Sequence, residues 1–108
     1  MQKYEANINM EQTFSDGEVD KISVDTIVEL NRVEDKLYVI FEGREMVFEI
    51  GETHLCRFPV GGGEIYLNFT THALRQIENR IVIEYEISDS NMNFVSKNKL
   101  AMKLSPQK

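Results

Sequence analysis

Apolar side chains return at every second position through almost the whole chain, and this period of two constrains the fold more than any other feature of the sequence. Successive side chains on a strand point to opposite faces, so such alternation describes strands with one buried face. Tyr4, Ala6, Ile8, Met10 and Phe14 share one parity, while Glu5, Asn7, Asn9, Glu11 and Thr13 share the other. Ser15-Asp16-Gly17-Glu18 then carries hairpin chemistry, because Asp-Gly tolerates the positive φ that tight turns require. Ile22, Val24, Thr26, Val28 and Leu30 resume the pattern against Lys21, Ser23, Asp25 and Glu29.

Beyond a turn at Glu34-Asp35-Lys36, the nearly continuous apolar run from Leu37 to Glu42 predicts a third strand covered at least partly on both sides. Met46, Phe48 and Ile50 mark a fourth strand, and His54 to Phe58 a fifth after the break at Gly51-Glu52. Ile65, Leu67, Phe69 and Thr71 define a sixth strand; Ile81, Ile83, Tyr85 and Ile87 define a seventh. After turn residues Asp89-Ser90-Asn91, an eighth strand runs from Phe94 to Leu104. His72 to Glu78 is open between a helical turn, a β-turn and an extended strand end, being too short for a helix to stand without tertiary support.

No segment shows an apolar stripe at i, i+3, i+4 and i+7, so the crossover helices of a parallel sheet are missing. The chain is therefore expected to be all-β, an antiparallel up-and-down meander of about eight strands. Eight one-sided strands bury their apolar faces by closing into a barrel or by stacking two sheets, and the run of hairpins favours the barrel over an open barrel or a β-sandwich. A barrel of that size encloses side chains or one small ligand. At 108 residues the whole chain, 1–108, suits a single domain.

Composition narrows the function. Twelve Lys and Arg against eighteen Asp and Glu give a net charge of -6 without any basic run, which disfavours attraction to nucleic acid or to anionic membrane. The first residues lack an apolar leader core and no apolar run approaches a membrane span, so a cytoplasmic protein starting near Met1 is expected. Cys56 is the only cysteine, which excludes an intrachain disulfide and a thiolate zinc cluster within one chain and suits a reducing compartment. Ser105-Pro106-Gln107-Lys108 reads as a frayed polar end.

Several motifs raise chemical questions. Phe58-Pro59-Val60-Gly61-Gly62-Gly63-Glu64 offers three glycines, but a phosphate-binding loop needs a following helix N-terminus and usually a lysine, and here a strand and Glu64 follow. The glycines are expected to turn or bulge the chain. His54 and Cys56 lie two apart on one strand face and His72 on another strand, too few ligands to define a metal site, and Cys56 lacks any pattern for an orienting partner. Glu84 and Glu86 share an outer face as an acid–base pair would, but an ordinary solvated strand face is the better account of them. Tyr66, Asn68, Thr70 and His72 form another outward row, ordinary surface or an interface.

The parity of Leu100, Met102 and Leu104 carries Ser96 and Asn98 to the inner face, where their polar atoms need partners. Thr26, Thr71 and Tyr85 share their own strands' inner parity and are expected to supply those partners, as an internal hydrogen-bond cluster or as ligand contacts.

The second half of the chain resembles the YwiB-like family, small calycin-like β-barrels of bacteria for which no catalytic residues are known. The residues that carry the likeness are Phe58-Pro59-Val60-Gly61, where that family tends to have Thr-Pro-x-Gly, and the alternating strand from Glu64. Ile83-Glu84-Tyr85-Glu86-Ile87, Asn98-Lys99-Leu100 and the opening hairpin at Ser15-Asp16-Gly17 are similar too. Between Phe41 and Met46 the chain is shorter than those relatives, which carry an additional strand pair there, so closure of the barrel is left open. The resemblance implies only that a small apolar ligand is a conceivable cargo; with no assembled nucleophile, metal set or cofactor fingerprint in the sequence, a noncatalytic binding barrel without cofactor is expected. A protein-interaction or structural domain, working through an outer face, an edge strand or a homodimer, is the alternative.

Overall fold

The computed structural model describes residues 2–106, with side chains described through Ser105. Eight strands follow in order: β1 (Gln2–Phe14), β2 (Val19–Val33), β3 (Lys36–Phe41), β4 (Arg44–Phe48), β5 (Thr53–Val60), β6 (Gly63–Ile77), β7 (Arg80–Ser88) and β8 (Phe94–Pro106). Each pairs antiparallel with the next, and β8 pairs back onto β1 from Tyr4↔Pro106 to Phe14↔Ser96, so the sheet closes into a barrel. The missing strand pair between Phe41 and Met46 therefore does not open it. In its place Glu42 and Gly43 make a two-residue turn with φ of 50° and 77°, both positive as a type I′ hairpin requires.

The inner face follows the alternation. Val28, Val39, Phe48, Ile83 and Leu100 retain no exposed surface. Phe48, Phe69 and Tyr85 knit the middle of the core: Phe69 stacks on Tyr85 at 4.8 Å between centroids, and Phe48 meets Tyr85 edge-on at 5.0 Å. On β3, Leu37, Val39 and Phe41 face inward while Tyr38 and Ile40 are half-buried outside, so the run is covered on both sides.

Two stretches go beyond the reading of the sequence. Of the three alternatives left open for His72 to Glu78, the extended strand end holds, because β6 continues through Ile77. The register jumps between Thr71↔Tyr85 and Ala73↔Glu84, which leaves His72 as the extra residue of a bulge. Past it the parity flips, and Leu74 faces Ile83 in the core. At the chain's end, Ser105 and Pro106 pair with Glu5 and Tyr4 as part of β8 rather than fraying, while Gln107 and Lys108 lie outside the described residues. The Asn79 side chain secures that end by donating to the Leu104 carbonyl at 3.1 Å.

One seam is weak. Where the other neighbouring strands share ladders of several pairs, β4 and β5 share only Glu45↔Arg57. The turn between them docks instead on β6, through a Gly51 N–H bond to the Thr71 carbonyl at 2.8 Å and a Thr71 N–H bond to the Glu52 carbonyl at 3.2 Å. Farther up the seam the Val47 N–H donates to the Cys56 sulfur at 3.3 Å, a side chain standing in for a missing strand carbonyl.

Candidate functional site

The hairpins β1–β2, β3–β4, β5–β6 and β7–β8 gather at one end of the barrel and define its mouth. The triple glycine belongs here. Val60 pairs with Gly63, so Gly61 and Gly62 are the two central residues of a tight turn, and φ of 55° at Gly61 is the conformation that favours glycine. Below the mouth lies an apolar cavity of about 330 Å³, walled by Ile8, Met10, Val24, Leu67 and Phe69 among others. The opposite half of the interior is packed with Val28, Leu37, Ile81, Ile83 and Met102. The barrel is thus filled at its floor and open at its top.

Three polar groups line the cavity: Arg44, Gln12 and Tyr85. Arg44 belongs to the inner parity of Met46 and Phe48, and pairs across the β3–β4 hairpin with Phe41. Its guanidinium lies over the Phe41 ring, 5.3 Å from the centroid, a cation–π contact. Among the described residues no carboxylate lies within ion-pair distance of it. Burial pushes the Tyr85 hydroxyl above its ordinary range, Cys56 adds to the rise, and the positive charge of Arg44 partly offsets it.

Of the five residues proposed from sequence as interior polar groups, Tyr85 alone touches this cavity. Gln12, Asn98, Tyr85 and Thr71 are successive cross-strand neighbours in one row. The expected hydrogen-bond cluster is smaller than that row. Ser96 and Asn98 satisfy one another: the Asn98 amide donates to Ser96 Oγ at 3.1 Å, and the Ser96 hydroxyl donates to Asn98 Oδ1 at 3.3 Å. The Tyr85 hydroxyl turns instead to the Met10 sulfur at 3.9 Å, a weak acceptor. Thr26 supplies no partner because it sits beside Ala6, which pairs with Leu104, eight residues along β8 from Ser96.

Thr71 is fully buried and its hydroxyl has no hydrogen-bond partner. An unsatisfied buried donor costs about 1–3 kcal/mol, so valine, of the same shape without the hydroxyl, is expected to stabilise the fold by about 1 kcal/mol. Thermal denaturation of Thr71→Val checks this. A lower melting temperature would show that the hydroxyl is satisfied.

The other sequence candidates separate. Cys56 is buried, and burial is the main cause that pushes its thiol up to about 11, so the sulfur is held as the protonated form rather than as a nucleophilic thiolate. His54 pairs with Glu49 at 2.7 Å near the opposite end of the barrel. His72 lies on the outside, 3.4 Å from Glu86. Glu84 and Glu86 face Lys99 and Lys97 across the β7–β8 ladder, which intersperses the two carboxylates with cations on an outer face. In the outward row of β6, Thr70 shares a hydroxyl bond with Thr53 at 2.7 Å and the Asn68 amide donates to the Asp89 carbonyl at 3.0 Å. Tyr66 joins a surface network in which Arg57 bridges Glu45 and Glu64.

Arg44 and Gln12 were missed by the sequence reading although each shares the parity of inward-facing neighbours. Arg44 stands two residues before Met46, and Gln12 two after Met10.

These features define the class: a closed, eight-stranded, up-and-down antiparallel barrel with one apolar cavity at its mouth. The same fold is found in the crystal structure of the ywiB protein from Bacillus subtilis, with a TM-score of 0.55 over 96% of this chain and 92% of that one, at 12% sequence identity. The likeness to YwiB-like barrels drawn from the sequence therefore holds for the fold. No protein-family model and no curated protein sequence matches the chain. Among the described residues no helix is long and apolar enough to cross a membrane.

Proposed function

We propose that this protein is a noncatalytic binding barrel that takes one small lipophilic molecule at its mouth. The observation that carries this reading is the 330 Å³ cavity, whose size and largely apolar lining with a few convergent polar groups are those of small-molecule sites. Ile22 and Ile65 line it while keeping 48% and 44% of their surface exposed, which leaves apolar area for a ligand to cover. The buried thiol and phenol in the interior are both held in their neutral forms, which suits binding better than nucleophilic or acid–base chemistry.

Native mass spectrometry of freshly purified protein tests the proposal. A stoichiometric adduct that denaturation releases is the expected result, and a bare chain that also takes up no added lipophile would overturn it.

The second reading, an interaction domain, draws on the outer face along the β4–β5 seam, where Leu55 and Tyr66 are 57% and 49% exposed beside the Arg57 network. A dimer in the same spectra would favour it.

A further inference from the structure

The one charged residue of the cavity, Arg44, is half-buried at the mouth and has no ion-pair partner among the described residues. A cation in a half-buried apolar setting loses hydration, and proteins ordinarily compensate by pairing it. This chain has eighteen acidic residues to choose from and a net charge of -6. Acids are placed beside other cations instead: Arg57, on the outer face, has both Glu45 and Glu64. Arg44 belongs to the inner face, lines the cavity and lies over the Phe41 ring, with no ion-pair partner among the described residues. The cavity lining contains no acidic side chain.

The ring fixes the guanidinium without using up its N–H donors. The guanidinium carbon lies over the Phe41 ring, and among the described residues none of its N–H groups donates to a protein acceptor, so they remain free for a ligand. That geometry suits a planar or tetrahedral oxyanion, which accepts two parallel N–H bonds from one arginine. The rest of the cavity suits a chain: Ile8, Met10, Val24, Leu67, Phe69 and Ile87 present hydrocarbon, sulfur and one aromatic ring. Taking roughly 30 Å³ per water-sized group, the space holds about ten such groups.

We infer that the cavity binds a single-chain anionic amphiphile of medium length, with its oxyanion head on Arg44 and its hydrocarbon tail in the apolar interior. This rests on the binding-barrel reading above and adds the chemical class of the ligand. Gln12 and the Tyr85 hydroxyl, the other polar groups of the lining, lie across the cavity on β1 and β7 and restrict where the head is received.

The test compares decanoate, decyl phosphate and decanol, each below its aggregation limit, by isothermal titration calorimetry on the wild type, Arg44→Gln and Arg44→Lys. The wild type is expected to bind at least one anion more tightly than decanol, and the tighter of the two identifies the head as carboxylate or phosphate. Removing the charge in Arg44→Gln is expected to weaken the anion roughly ten- to a hundredfold while leaving decanol nearly unchanged. Arg44→Lys is expected to keep the preference for an anion over decanol. Equal binding of anions and decanol by the wild type would overturn the anionic head and leave the binding barrel standing. Failure of all three probes would overturn both. The wild-type comparison decides the matter even if a variant does not fold.

Discussion

Replacing Phe48 by alanine is expected to lower the melting temperature by roughly 15 °C or more. Phe48 has no exposed surface and contacts two other rings of the core, Phe69 with centroids 5.8 Å apart and Tyr85 at 5.0 Å. Truncating a buried phenylalanine to alanine typically costs about 3–5 kcal/mol, the sum of lost transfer energy and of the void left behind. For a domain near this size each kcal/mol moves the midpoint by roughly 4–8 °C. The void matters particularly here, because the neighbouring rings Phe69 and Tyr85 also wall the cavity at the mouth. Collapse of either ring into the gap would change the cavity's shape as well as the stability. Thermal denaturation by circular dichroism reads the effect. A loss of only a few degrees would mean that the barrel's centre is looser than its aromatic contacts describe.

Strand parity made most of the fold legible, because a one-sided strand must write its buried face into every second residue. The reading stopped where geometry broke the period. At His72 a single extra residue moves Leu74 from the parity of Thr70 to the core, so the alternation broke and left a continuous strand open between a helical turn, a β-turn and an extended end. Likewise the single ladder pair between β4 and β5 follows from a turn that hooks onto β6 through backbone bonds, which side-chain pattern does not encode.

The site was less legible than the fold. Parity placed Ser96, Asn98, Thr71 and Tyr85 on the inner face, and all four are buried, but it carries no information on height along the barrel. Height depends on the stagger of the closed sheet, and this separates Thr26 from Ser96 and leaves Tyr85 alone of the five at the cavity. Arg44 was hidden for another reason. A charged residue ahead of an alternating run reads as turn chemistry, and the Phe41↔Arg44 pairing shows that the strand, with its inward parity, already includes it.

Proline at Ala101 or at Met102 is expected to abolish the cooperative unfolding transition, and the pair of variants tests closure of the barrel. Both residues lie in the middle of β8 and have neighbours on each side: Asn9 and Val82 flank Ala101, while Ile8 and Ile81 flank Met102. Successive N–H groups of a strand point to opposite neighbours, so one of the two variants removes a bond to β1 and the other a bond to β7. Proline also fixes φ near −65°, away from the extended backbone of the sheet, and leaves the partner's carbonyl unsatisfied. Against a total stability of about 5–15 kcal/mol, a broken ladder in the strand that closes the ring is enough to unfold the chain. Met102→Ala serves as the reference for the lost methionine side chain. The native Pro59 marks the contrast, since it lies on β5 where the ladder to β4 has stopped, and its ring packs 3.3 Å from the position a Cβ at Gly43 would take. If either variant on β8 unfolded cooperatively near its reference, β8 would have a free edge like the one Pro59 occupies. The mouth and its cavity would then belong to an open sheet rather than a ring.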